Sequence, residues 1–127
     1  MSRGDRYQYF DMMGTVVTYD LDDYVPRGSS LRGHINTTYI ELVEAFGEPN
    51  ILNAEPSGDD KVHNEWGIRF FDGDDDIYAT IYDWKDSGPY DSRIGEYRWH
   101  IGGKQVEALW CVMDALSAPE TTTRTDV

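Results

Sequence analysis

Apolar and polar residues alternate along two neighbouring stretches of the chain, which predicts two antiparallel strands. In residues 62–71 the alternate positions that would face a core are Val62, Asn64, Trp66, Ile68 and Phe70. The return strand, 77–84, has Ile77, Ala79, Ile81 and Asp83 on one face and Tyr78, Thr80, Tyr82 and Trp84 on the other. An acidic turn at 72–76, opened by an Asp-Gly pair, joins the two strands. With a third strand at 96–101, we expect a meander with one face on helices and the other a partly exposed aromatic surface.

Two segments have the apolar periodicity of amphipathic helices. The first places Tyr39, Leu42, Val43 and Phe46 on one stripe. Thr38 and Glu41 have the spacing of a capping box at its start. Gly47 is placed for a left-handed cap, and Pro49 prevents continuation. The second helix is predicted at 104–116, with an apolar stripe of Val106, Leu109, Trp110, Met113 and Leu116. The preceding Gly102 and Gly103 would allow the backbone to approach a neighbouring element closely.

The aromatic and β-branched residues near the N-terminus predict a hairpin formed by 7–10 and 15–19. Residues 1–6 are predicted to be a flexible arm and 117–127 a flexible tail. The fold class is therefore α+β, with a small antiparallel sheet and two helices on one of its faces. The sheet consists of the three-stranded meander plus the N-terminal hairpin, and 7–116 form a single domain. Self-association would cover the sheet edges that such a small sheet leaves open.

The charge of the chain changes the range of partners that it can bind. It has 24 acidic and 11 basic residues, a formal charge of −13. This field opposes binding to nucleic-acid phosphates and to anionic membranes, and it favours a basic protein partner. Adaptation to a salty or GC-rich host and imitation of the charge of DNA are both consistent with it.

The remaining bulk properties are typical of a cytoplasmic protein. The single cysteine, Cys111, lies in the second helical pattern and is expected to be a buried small hydrophobe. No apolar run is long enough to span a bilayer, and no apolar secretory segment follows the N-terminus.

A series of short blocks runs through residues 33–116: Gly33-His-Ile, Tyr39, Glu41-Leu-Val, Phe46-Gly-Glu-Pro49, Lys61-Val, Glu65-Trp66, Ile68, Phe70, Asp72-Gly73, Ala79-Thr-Ile-Tyr-Asp-Trp-Lys85 and Trp99-His-Ile-Gly-Gly103. In these blocks the chain resembles a family of small, mostly uncharacterised bacteriophage proteins. The resemblance implies a phage accessory protein that acts in the host cytoplasm. It supplies no activity and no catalytic residues. The acidic turn and the segment 1–32 depart from the family pattern.

One candidate site lies on the aromatic face of the meander. Aromatic side chains there would stack a planar ligand such as a nucleobase, and neighbouring cations would hold a phosphate. The predicted ligand-binding residues are Arg69, Tyr82, Trp84, Lys85 and His100. Trp66 shares the apolar face with Ile68 and Phe70 and is predicted to be interior.

Two carboxylate patterns suggest metal chemistry. Asp83-Trp84-Lys85 matches the acid-x-Lys element of a metal-dependent nuclease, and Glu41 and Glu65 are available as further carboxylates. The spacing of Asp72, Asp74, Asp76 and Asp83 partly imitates a calcium loop, but Ile77 stands where that loop requires glycine. A solvated hairpin tip is the preferred interpretation of this second pattern.

The acidic loops provide a third candidate surface. Asp72, Asp74, Asp75, Asp76 and Asp86 would form a carboxylate array that fits a basic groove. No nucleophile–base arrangement, phosphate-binding loop or dinucleotide fingerprint is present. The first hypothesis is thus a non-enzymatic phage protein, without a cofactor, that binds and inhibits a host factor of antiviral defence or DNA metabolism. The alternatives are a protein that sequesters a small nucleotide-type signal on the aromatic face, and a nuclease that uses Asp83 and Lys85.

Overall fold

The computed structural model describes residues 6–11, 13–22, 30–51, 64–72, 75–83, 94–117 and 123–125. The strands in this part of the chain are β1 (Arg6–Phe10), β2 (Val16–Leu21), β3 (Ser30–Thr38), β4 (Glu65–Asp72), β5 (Asp75–Tyr82), β6 (Glu96–Gly103) and β7 (Thr123–Thr125). The helices are α1 (Tyr39–Phe46) and α2 (Glu107–Ser117). All paired strands are antiparallel, and the sheet order is β3-β6-β5-β4-β2-β1-β7.

The predicted α+β class is confirmed, and the sheet is larger than predicted. The hairpin β1–β2 and the meander β4–β5–β6 are present, and β2 pairs with β4 to join them. Strand β3 was not predicted from the sequence. This strand has only two apolar residues, Leu31 and Ile35, and its register shifts between Leu31 and Gly33, so the alternation that marks a strand is absent.

One face of the sheet forms the core with the two helices. Trp66, Ile68 and Phe70 of β4 are fully or almost fully buried, as their alternation predicted. The other core side chains from the strands are Tyr7, Tyr9, Val17, Tyr19, Ile77, Ala79, Ile81, Trp99 and Ile101. The opposite face, which we call the outer face, has the half-buried Tyr78 and Tyr82, as expected for the aromatic surface of the meander.

Helix α1 is held at both ends by side chains from the sheet. The predicted capping box between Thr38 and Glu41 is present. The indole Nε1–H of Trp99 donates to the carbonyl oxygen of Thr37 (3.2 Å), and that of Trp66 donates to Gly47 (2.7 Å). The bond to Gly47 satisfies a carbonyl at the C-terminal end of α1, where backbone acceptors lack helical partners, and the bond to Thr37 fixes the residue before the N-cap to the core.

The end of α1 differs from the predicted left-handed cap. Gly47 has a φ of 84°, and its N–H donates to the carbonyl oxygen of Val43 at 2.7 Å. Its ψ of −168° directs the chain away in an extended path rather than a left-handed turn. The hydroxyl of Tyr19 donates to the carbonyl oxygen of Ala45 (2.9 Å) and satisfies another acceptor in this last turn.

The prediction for the second helix is wrong in its start and in three of the five residues of its apolar stripe, whereas Leu109 and Leu116 pack against the core as predicted. Helix α2 begins at Glu107, and Ala108, Val112 and Ala115 are its buried residues. Val106, Trp110 and Met113 are 42%, 55% and 47% exposed, although they were predicted to be core. The reason is the close approach of α2 to the sheet. A Cβ atom at Gly103 would lie 2.6 Å from the Cβ of Ala108, so this contact requires a small residue on both the helix and the strand.

Two further segments differ from expectation. β4 continues to Asp72 and β5 begins at Asp75, and these two residues pair, so the acidic turn is shorter than the predicted 72–76. Within the predicted tail, β7 pairs with β1 through Tyr7 and Arg124. Cys111 is half-buried and packs against the core.

Candidate functional site

The outer face has a row of four side chains that crosses four adjacent strands. The backbone register pairs Glu65 of β4 with Tyr82 of β5, Tyr82 with His100 of β6, and His100 with His34 of β3. We call these residues the cross-strand row. Directly opposed residues in antiparallel strands have their Cβ atoms about 4.5–5.5 Å apart, so neighbours in the row are in contact range.

Three rings of the cross-strand row contact one another. Tyr82 and His100 are stacked, with centroids 5.3 Å apart and planes at 28°. His34 meets His100 edge-on, with centroids 4.5 Å apart and planes at 71°. Burial raises the pKa of Tyr82, and the charge of Glu65 adds to this effect. The structure therefore brings together Tyr82 and His100, two of the predicted ligand-binding residues.

Arg98 lies beside this row, on the same face of β6 as His100. Its Nη2 is 3.4 Å from Nδ1 of His34. Partial burial and the charge of Arg98 lower the pKa of His34 from its ordinary value of 6.5. Since a guanidinium only donates, Nδ1 of a neutral His34 is the acceptor and its proton is then on Nε2. Arg98 was not among the predicted site residues.

Arg69 is on the outer face but belongs to a different cluster. It pairs in register with Tyr78, four residues along β5 from Tyr82, which is a distance of about 13 Å. Its guanidinium forms an ion pair with Asp76 and lies over the rings of Phe71 (4.6 Å) and Tyr78 (5.5 Å). The hydrogen bond that Arg69 donates to Asp76 is the main cause of its raised pKa. Arg69 is thus not brought together with Tyr82 and His100, and Trp84 and Lys85 lie outside the described residues.

The outer face next to the cross-strand row is lined by glycine. Thr80 pairs with Gly67 on one side and Gly102 on the other. A Cβ atom at Gly102 would lie 2.7 Å from Oγ1 of Thr80 and 3.5 Å from Cε1 of Tyr82. At Gly67 it would lie 2.3 Å from the carbonyl oxygen of Asp22. Without side chains at these positions, the edge of the Tyr82 ring toward Gly102 is not covered by a neighbouring Cβ.

The carboxylates of the nuclease hypothesis have structural partners. Asp83 is 4% exposed and accepts from the backbone N–H and the side-chain amide of Asn64, at 3.2 and 3.0 Å. Glu41 accepts from the Thr37 hydroxyl (2.6 Å) and from the backbone N–H of Thr38 (3.2 Å). Glu65 is in the cross-strand row on the outer face, whereas the alternation of β5 places Asp83 with the core residues. The described residues contain no group of three or more His, Cys, Asp or Glu that could hold a metal ion.

Few of the acidic residues predicted to bind a partner can be placed as a surface. Asp76 is exposed and paired with Arg69. Asp72 and Asp75 end their strands beside the turn. Asp74 and Asp86 lie outside the described residues.

The helices form a different acidic surface. The charged residues of α1 and α2 are all acidic, namely Glu41, Glu44, Glu107 and Asp114. Among them lie exposed apolar side chains, with Ile40 65% and Trp110 55% exposed. The sequence around α2 contains two apolar sets that are offset by two residues, one with large and one with small side chains. This pair of sets was the signal for an exposed apolar surface, because the set with small side chains packs beside glycine and leaves the other set exposed.

A comparison of the chain with protein-family models, curated proteins and solved structures found no match. No helix in the described part of the chain is long and apolar enough to cross a membrane.

Proposed function

We propose that this protein is a non-enzymatic phage accessory protein that binds and inhibits a host protein with a basic surface. The observation that supports this most is an exposed apolar stripe, the α2 stripe, formed by Trp110 and Met113 of α2 and by Val106, which directly precedes the helix. An indole that is 55% exposed on a helix, beside two further apolar side chains, is unusual for a surface that contacts only water.

The stripe has the form of a helix that binds in a groove. Its members are at positions i, i+4 and i+7, so they lie on one side of α2, opposite the buried Ala108, Val112 and Ala115. Tryptophan is the residue type most enriched among those that contribute most to binding energy at protein interfaces. We therefore assign Trp110 as the anchor and Val106 and Met113 as its flanks.

The charge around the stripe favours a basic partner over a second copy of this chain. Both helices have only acidic charged residues, and the whole chain has a formal charge of −13. Two such helical faces would repel each other, whereas lysine and arginine on a partner would complement Glu107 and Asp114. The resemblance of residues 33–116 to phage proteins supports a host protein as this partner, encountered in the host cytoplasm.

Substitution of Trp110 tests this proposal. The wild-type protein and Trp110→Ala are used to capture partners from a lysate of the host, and the dissociation constant is then measured for the captured protein. We expect Trp110→Ala to weaken binding at least about tenfold, since truncation of a central aromatic anchor costs about 2 kcal/mol or more. The melting temperature should change little, because Trp110 is exposed. Added salt should weaken the wild-type complex.

Phe10→Ala is the matched control, since Phe10 is an aromatic residue of similar exposure (54%) on β1. It should retain the partner. A partner that binds Trp110→Ala as tightly as the wild type, or that is lost equally with Phe10→Ala, would contradict the assignment of the α2 stripe as the binding surface.

A further inference from the structure

We infer that the outer face of the sheet is a second binding site, which takes a small phosphorylated ligand with a planar ring, of the nucleotide class. Tyr82 and His100 contact the ring, and Arg98 and His34 contact the phosphate. This site is on the opposite side of the sheet from the helices, so it is separate from the partner surface proposed above. It differs from the sequence-based hypothesis in the residues that bind the anion, which are on β3 and β6 rather than at Arg69.

Arg98 differs from the other described arginines of this strongly acidic chain. The structure describes the side chains of three arginines. Arg69 forms an ion pair with Asp76, and Arg32 donates to the carbonyl oxygens of Gly103 (2.8 Å) and Lys104 (2.7 Å). Arg98 is exposed, and in the described part of the chain no carboxylate lies within salt-bridge distance of it; its contact is with the neutral ring of His34. With 24 acidic residues in the chain, an arginine that faces a histidine is available to an external anion.

Arg98 determines the tautomer of His34. Because Nδ1 of His34 faces the Nη2 donor of Arg98, the neutral imidazole has its proton on Nε2. Nε2–H is then a second donor beside the guanidinium. A phosphate group, with three acceptor oxygens, would accept from both, and hydrogen bonds in which the donor or the acceptor is ionised are the stronger kind.

The distance between the ring of His100 and the guanidinium of Arg98 suits a nucleotide. His100 and Arg98 are two residues apart on β6 and project from the same face, so their Cα atoms are about 7 Å apart. A sugar that links a base to a phosphate spans a similar gap. The base would contact the stacked pair Tyr82–His100 while the phosphate reaches Arg98.

The charges of the face limit the ligand to a small molecule. Glu65 is at the far end of the cross-strand row, beside Tyr82, and Glu96 lies two residues before Arg98 on β6. These carboxylates and the charge of −13 repel a polymer of phosphates. A single phosphate beside Arg98 and His34 avoids most of this repulsion.

The test is calorimetric titration of the full chain with AMP, adenosine and inorganic phosphate, combined with NMR spectra of the imidazole protons. AMP should bind and shift the resonances of His34 and His100, while adenosine and phosphate should each bind at least about tenfold more weakly than AMP, since each makes only one of the two contacts. Arg98→Gln should weaken AMP binding at least about tenfold with an unchanged melting temperature. Lys104→Gln is the charge-matched control, about 20 Å along the chain direction from Arg98, and should leave AMP binding unchanged.

Three results would overturn the inference. If AMP shifts the resonances of neither His34 nor His100, it does not bind at the proposed site. If adenosine binds as tightly as AMP, the phosphate makes no contact with Arg98. Equal losses with Arg98→Gln and Lys104→Gln would show a general effect of charge instead of a local contact.

Discussion

Partial burial and the contact with Arg98 together affect how His34 titrates. Partial burial, with the addition of a cation 3.4 Å from Nδ1, lowers the pKa of His34 below 6.5. Between the pKa values of His34 in the folded and unfolded states, the folded state binds fewer protons than the unfolded state. The contribution of His34 to the free energy of unfolding is therefore fully present above pH 6.5 and decreases as the pH falls.

We predict that Arg98→Gln raises the pKa of His34 toward its ordinary value, because the neighbouring positive charge is removed while the burial remains. The measurement is an NMR titration of the His34 Cε1 proton in the wild type and in the variant. Lys104→Gln, which removes a distant charge, is the control. A midpoint for His34 that is the same in the wild type and in Arg98→Gln would show that the Arg98 contact is not formed in solution.

At the level of single residues, the alternation along a strand predicted on which face of the sheet a side chain lies, but not which side chains it contacts. Trp66 was expected in the core, and it is. Tyr82 and His100 were expected on the same surface, and they stack. Arg69 was also placed on that surface correctly. Its pairing with Asp76 was not predicted, because it depends on how far β4 and β5 extend into the predicted turn. Arg98 was missed because its neighbour His34 is on β3, and β3 itself was not predicted.

Among the secondary-structure elements, α2 shows why size is a poor guide to the buried face of a helix. Trp110 and Met113 are exposed, Leu109 and Leu116 are partly buried, and two alanines and a valine are buried. Glycines on the sheet bring the helix close: a Cβ atom at Gly33 would lie 2.8 Å from Cδ2 of Leu109, and Gly103 is similarly close to Ala108. The buried face could have been predicted only by including the strands that this helix covers.

We therefore predict that two neighbouring substitutions in α2 change the free energy of unfolding by very different amounts. Val112→Ala should lower the free energy of unfolding by about 2 kcal/mol, because it leaves a cavity at a site with 0% exposure. Met113→Ala should change it by less than about 0.5 kcal/mol, because Met113 is 47% exposed. Urea denaturation of the two variants measures both values. Equal destabilisation by the two substitutions would mean that the helix is rotated relative to the face described above.

For the whole molecule, the charge is distributed unequally between the two sides of the sheet. The helices have only acidic charged residues, whereas the outer face has Arg69 paired with Asp76 and Arg98 beside His34. The α+β class and the two-helix layer followed from periodicity in the sequence. The distribution of charge did not, because it depends on the strand order, which places β3 next to β6.

A net charge of −13 should make the stability of the fold depend on salt. Mutual repulsion among the carboxylates destabilises the compact state, and 0.1 M salt screens charges that are more than about 10 Å apart. We predict that the melting temperature rises with NaCl. Glu44→Gln, which removes one exposed carboxylate of α1, should raise the melting temperature at low salt and have less effect at high salt. A melting temperature that is constant or falls with NaCl would contradict this prediction.

The position of β3 also affects the order in which the protein can fold. β3 follows β2 in the chain, but its strand partner is β6, and 64 residues separate Arg98 from His34 across that pair. During synthesis, β3 leaves the ribosome long before β6 and cannot pair with β6 until that later strand has also been made. Pairings between distant segments are slow to form because the loop must close before the contacts stabilise it. Attachment of β3 should accordingly be among the last steps of folding, and the face that contains His34 and Arg98 exists only when that step is complete.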